Sequence, residues 1–300
     1  MSRVATLVLA GGVLLAIAFI SAWHRLDRRA EAQAGGRQAG RPTFGAVVLG
    51  AVTNFFDTLG IGSFASTTAY LKFRRLVSDE LIPGTLNVGH ALPTIAQAVI
   101  FTTAVAVAPL TLVSMVVAAV AGAYLGAGIV AQLPRRGVQL GMGIALIVAA
   151  GLFTMKIVGV LPPGGAALGL TGGLLVFAVA ANFVLGALMS LGIGLYAPCL
   201  ILVSLLGMNP IAAFPIMMAS CACLMPVGSL AFIRERKYDR RTAIGLALGG
   251  IPGVLVAAFI VRSLPLEWLY WLVVVVVLYA AVLMLRSALV REPDPAAVVP

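Results

Sequence analysis

The chain has 300 residues, of which 61% are hydrophobic and 10% charged, and its formal net charge is +10. Soluble domains run near half apolar and a quarter charged, so this composition excludes a soluble catalytic protein and points to an integral membrane protein. The positive residues sit in a few short stretches, as topology determination requires, and they are no evidence for a nucleic-acid partner.

The first element is the uncharged run at residues 4–23, long enough to span a bilayer and followed by the basic stretch "HRLDRRAEAQAGGRQAGRP". A helix of about 20 apolar residues with positive charge behind it is an anchor held in the membrane. Residues 1–43 therefore read as an N-terminal transmembrane anchor helix with a basic cytoplasmic linker, an uncleaved anchor being favoured over the alternative of a signal peptide. Further uncharged runs follow at 81–134, 157–233, 242–261 and 268–285, where His90 is the only His, Asp, Glu, Lys or Arg. They are continuous and rich in Ala, Val, Leu and Gly, unlike the alternating segments of a membrane β-barrel. The expected fold is an all-α polytopic membrane protein.

An internal repeat organises the rest. "LGIGSFA" at residues 59–65 returns as "LGIGLYA" at 191–197, an offset of 132 that also lays Pro83 on Pro215 and Leu92 on Leu224. We expect a first repeat at 44–158, a linker rich in Gly and Pro at 159–175, a second repeat at 176–290 and a cytoplasmic tail at 291–300. The basic clusters all fall on one side if each repeat crosses five times. An odd number of crossings makes the two repeats inverted, a recurrent transporter design. Residues 63–76 and 195–208 are too short for a full span and read as broken or re-entrant helices, which membranes tolerate where they are buried or line a cavity.

A helix restarting after Gly60 or Gly62 presents free N–H groups and the positive end of its dipole, a site suited to an anion. Ser63 and Thr67 add hydroxyl donors. The second copy carries Gly192, Gly194, Tyr196 and Pro198, the proline suiting the first turn of a helix. With inverted repeats, the two helix starts are expected to converge near the bilayer midplane as a substrate site. Asp57 is different in kind: an acid within a span is costly and is a functional candidate by default. It has no acidic counterpart, since the same offset gives Met189. It is the candidate proton-coupling residue, with cation binding and simple pairing to a basic group as open alternatives. Asn87 and His90 share a helical face, and His90 is a candidate titrating partner for Asp57 or donor to a bound anion.

Cys199, Cys221 and Cys223 have no CxxC spacing or adjacent His, so neither a metal nor another cofactor is expected. No GxxxxGK[ST] motif is present, and coupling must use a proton, Na⁺ or the substrate's own gradient.

The two LGIG turns, the segment "GMNPIAAFPIMMAS", and the closing stretch "RKYDRRTAIGLALGGIPGVLVAAFIVRSLPLEWLYWLVVVVVLYAAVLMLR" together resemble the TauE/SafE family of sulfite and organosulfonate permeases. The resemblance covers most of residues 44–290. It implies a multi-pass permease of the bacterial inner membrane for small sulfur-containing or carboxylate anions, with the glycine motifs at Gly60, Gly62, Gly192, Gly194 and Pro198. The family's turn usually carries a longer glycine run followed by Pro; here both copies keep GIG, and Ser66 stands where the second copy has Pro198. The expected function is a secondary transporter and not an enzyme. The rival readings are a cation or proton exchanger using Asp57, an intramembrane enzyme that has only Asp57 and His90 to work with, and a scaffold.

Overall fold

Runs of apolar helix formers interrupted by Gly and Pro produce a chain that is helical through most of its described length. The computed structural model describes residues 3–33, 41–125, 135–160, 165–189, 195–263 and 266–289. The helices there are α1 (Arg3–Gln33), α2 (Phe44–Thr58), α3 (Ser63–Phe73), α4 (Ile82–Ala104), α5 (Pro109–Leu125), α6 (Arg135–Ile157), α7 (Gly172–Met189), α8 (Tyr196–Leu205), α9 (Ala213–Arg234), α10 (Arg240–Ser263) and α11 (Leu266–Leu289). Single 3₁₀ turns, Asp79–Leu81 and Pro210–Ala212, precede α4 and α9. The expected second repeat starts at residue 176; the helix there begins four residues earlier, at Gly172.

Four stretches in the described residues are long and apolar enough to cross a membrane: Thr6–Arg29, Gly172–Met189, Pro210–Arg234 and Arg240–Ile260. The chain is an all-helical polytopic membrane protein. The helix α4 is expected as a crossing but is not among the four. Its 23 residues include Thr85, His90, Thr94 and Gln97, all buried, and these polar groups lower its hydropathy while turning into the protein.

Helix packing is set by small residues that let backbones approach. The most extensive contact is between α2 and α10. Ala46 lies against Gly245, Gly50 against Leu246, Val47 against Gly249 and Ala51 against Gly253, so the two helices run parallel. The pair α5 and α7 is built the same way: Gly186 lies against Ala119 and Gly122 against Phe183, and Asn182 Nδ2 donates to the Met115 carbonyl at 2.7 Å. Between these pairs α4 and α9 run antiparallel, with Gly84 beside Phe232, Thr94 beside Met225 and Phe101 stacked on Phe214 at 5.3 Å. Pro93 and Pro226 interrupt these two helices; Thr94 Oγ1 donates to the His90 carbonyl one turn back at 2.8 Å.

The expected linker is fastened where it is described. Ala108 N–H donates to Leu168 O at 2.7 Å and Asn209 N–H to Ala167 O at 2.9 Å, while Leu170 N–H donates to Thr111 Oγ1 at 2.9 Å.

The helix α1 packs on α4 and α9 and is latched at its basic end. Trp23 Nε1 donates to Tyr238 Oη at 2.9 Å, Tyr238 O–H donates to Asp27 Oδ1 at 2.6 Å, and Asp27 Oδ2 is ion-paired with Arg240. Burial pushes the Tyr238 phenol up, and its hydrogen bond to Asp27 pushes the same way, so it stays a donor. Hydrogen bonds to charged groups are worth roughly 1.5–3 kcal/mol. Asp27→Asn is therefore expected to lower the unfolding midpoint in detergent by a few degrees, about 2 kcal/mol, without changing ligand binding in the same preparation.

Candidate functional site

The break between α2 and α3 is made by the glycines. Gly60 has φ 95° and Gly62 φ 88°, backbone conformations that a side chain disfavours. Gly60 N–H closes the end of α2 on Asp57 O at 2.8 Å and Ile61 N–H on Phe56 O at 3.1 Å. The chain turns, and α3 restarts at Ser63 with Gly62 as an N-cap that has no side chain to offer. The missing cap comes from the preceding helix: Asp57 Oδ1 accepts the Ser63 N–H at 2.6 Å. Asp57 and the glycine turn are thus one unit, in which the carboxylate sits on the positive end of the α3 dipole.

Asp57 Oδ2 accepts from Gln97 Nε2 on α4 at 2.9 Å. The same nitrogen donates to Thr58 Oγ1 at 2.9 Å, and Gln97 Oε1 accepts from Tyr196 O–H, the first residue of α8, at 2.8 Å. A hydrogen-bond chain therefore runs from the start of α3 to the start of α8. Gln97 is fully buried, Asp57 is 4% exposed, and among the described residues no salt bridge reaches the acid.

His90 belongs to a neighbouring cluster. Its Nδ1 lies 2.9 Å from Asn54 Nδ2 and 3.2 Å from Asn54 Oδ1, and its Nε2 lies 3.1 Å from Thr67 Oγ1. Both ring nitrogens are satisfied in either tautomer. The expectation that His90 partners Asp57 is not met: the ring instead ties α2, α3 and α4 together. Asn87 donates to the Pro83 carbonyl at 2.9 Å and is not drawn into either network.

A cavity of ≈ 130 Å³ lies beside the Asp57 chain. Its polar lining is Asp57, Ser63, Thr94, Gln139, Tyr196 and Cys221, and its apolar lining includes Phe64, Leu195, Met189, Met225 and Met284. Of the expected site residues, Asp57, Gly62, Ser63 and Tyr196 line it. Gly60 forms the turn behind it, Thr67 faces His90, and Pro198 is buried in the first turn of α8. Gly192 and Gly194 lie outside the described residues. The two short helices contribute equivalent positions: Ser63, Phe64 and Ala65 from one, Leu195, Tyr196 and Ala197 from the other. Among the described residues no three of His, Cys, Asp and Glu come together as a metal-binding group.

Residues 155–299 match the family model of the sulfite exporter TauE/SafE. This is the family that the sequence resembles, and the TauE/SafE match takes in α7 to α11 with the whole of the described second helix start. No curated protein and no solved structure matches the chain. The family named by the match is one of sulfite exporters. The half of the site built on Asp57, Gly62 and Ser63 lies outside it.

Gln97 was not among the residues singled out from sequence. The available signal was the series His90, Thr94 and Gln97, polar side chains at i, i+4 and i+7, a spacing that places all three on one helical face.

Proposed function

We propose that the protein is a secondary transporter of the bacterial inner membrane that binds a small anion, sulfite, a sulfonate or a related carboxylate, in the cavity between the starts of α3 and α8. The observation that carries this reading is the meeting of equivalent positions from two broken helices around one cavity, the arrangement expected where substrate binds between inverted halves. The antiparallel α4 and α9 support the inverted arrangement. So do the exchanged parallel pairs, α2 with α10 and α7 with α5. Asp57 serves as the proton-coupling residue: an acid within a membrane that already occupies one helix start must change its charge or its place when a second anion arrives.

The rival cation reading is weakened by the surroundings of Asp57, whose two oxygens accept N–H donors where a cation site needs oxygens. An enzyme that used Asp57 with His90 would need them in contact, and His90 is engaged elsewhere.

The test is thermal unfolding of the purified full chain against sulfite, sulfoacetate and taurine, with Na⁺ and Ca²⁺ as the competing panel. A ligand at a hundred times its Kd adds about 2.7 kcal/mol of stability. At least one anion should therefore raise the midpoint by several degrees with the cations inert. Stabilisation by a cation alone, or by nothing in the panel, would reject the proposal.

A further inference from the structure

The side-chain amide of Gln97 has no spare donor. Both its hydrogens are spent, on Asp57 Oδ2 and on Thr58 Oγ1, and its oxygen accepts from Tyr196 O–H. Its orientation is also dictated. Thr58 O–H donates to the Asn54 carbonyl at 2.7 Å, so Thr58 Oγ1 is left as an acceptor and must face an N–H.

The same inventory fixes the charge state that this arrangement accommodates. One oxygen of Asp57 faces the Ser63 N–H and the other the Gln97 N–H, so both want an acceptor. From the remaining elements around the cavity, α8 brings Tyr196, α9 brings Cys221 and α6 brings Gln139, none of them a permanent charge; the α11 lining residues Ala280, Leu283 and Met284 do not titrate. His90 of α4 is held by Asn54 and Thr67. A proton on Oδ2 directed at Gln97 would set O–H against N–H. Turnover of the amide turns that contact into a hydrogen bond, so that Gln97 Oε1 accepts from Asp57 and Gln97 Nε2 donates to the Tyr196 oxygen. The turnover breaks the bond to Thr58 and reverses the polarity of the bond to Tyr196.

We propose that Gln97 is the positioning residue through which the charge state of Asp57 reaches the start of α8, by turnover of its side-chain amide. This rests on the transport reading, in which Asp57 gains and loses a proton, and adds the route by which one half of the molecule senses the other. Local electrostatic events acquire distant readouts when they bias an element with two discrete arrangements, and an amide with its two ends exchanged is such an element.

The experiment is pH-difference infrared spectroscopy of the purified full chain. The carboxyl band of Asp57 is assigned by its loss in Asp57→Asn, the phenol band of Tyr196 by its loss in Tyr196→Phe, and the glutamine amide band by ¹⁵N-glutamine labelling. In the native chain the three bands should change together at one pH. In Gln97→Met the Asp57 and Tyr196 bands should come apart, because the amide that joins them is gone. A Tyr196 band that still tracks Asp57 in Gln97→Met, or an unchanged glutamine band in the labelled native chain, would overturn the relay. The labelled measurement needs no variant and stands even if Gln97→Met fails to fold. Anion stabilisation of the native chain reads the transport proposal independently, so a relay that fails while sulfite still stabilises leaves that proposal in place.

Discussion

Gly249→Ala is expected to lower the stability of the folded chain by about 3 kcal/mol, the upper end of overpacking costs. The added Cβ would land on the Val47 carbonyl. The obstacle is backbone, so no side-chain rotation relieves it and α2 and α10 must move apart. Separation would also loosen the contacts at Gly50, Gly245 and Gly253, which hold the same interface. Because α2 carries Asn54, Asp57 and Thr58, anion binding should weaken together with stability. Gly45→Ala is the control: nothing lies within 4 Å of its added Cβ, and its unfolding midpoint should stay that of the native chain. A Gly249→Ala protein with a native midpoint would mean that the close approach of these helices contributes little.

Asp57→Ala is expected to abolish measurable uptake in proteoliposomes and to destabilise the chain. It leaves the Ser63 N–H and one hydrogen of Gln97 Nε2 buried with no acceptor, at about 1–3 kcal/mol for each orphaned donor. Asp57→Asn separates the two effects. An asparagine oxygen still accepts one of the two N–H bonds, so the protein should fold, yet the residue can no longer take up a proton. Uptake by Asp57→Asn should run at least about tenfold slower, equivalent to 1.4 kcal/mol, and should lose its dependence on pH. A native pH profile in this variant would remove Asp57 from the coupling scheme and leave it only the capping of α3.

Local features of this protein were legible from sequence, and remote pairings were not. The break at Gly60 and Gly62 was visible because their spacing and the short segment behind them are consequences of backbone conformation alone. Pro83 and Pro215, which the repeat offset aligns, both fall in the first turns of their helices. The acid and the glycine turn, however, were assigned separate roles, whereas Asp57 caps the very helix that the glycines release. That bond depends on the angle at which the chain leaves α2. Gln97 was missed because its partners Asp57, Thr58 and Tyr196 lie on other helices, and a single periodic pattern says which face of α4 is polar without saying what faces it. His90 was drawn toward Asp57 by rarity, as one of two ionisable groups deep in the chain; its actual partners, Asn54 and Thr67, are uncharged.

The pairing of α2 with α10, far apart in the chain, has a consequence for how the molecule is made. The glycine face of α2 is matched by α10 and that of α7 by α5, so the first half emerging from the ribosome enters the bilayer without the surface it was shaped to meet. Leu246, which closes over Gly50, is translated 196 residues after it. Until then α2 is a small-residue stripe facing lipid, and Asp57 waits at its end with the α8 side of its network not yet made. The α2–α10 contact is therefore one of long sequence separation, the kind of pairing whose loop-closure cost has to be met before its packing is gained.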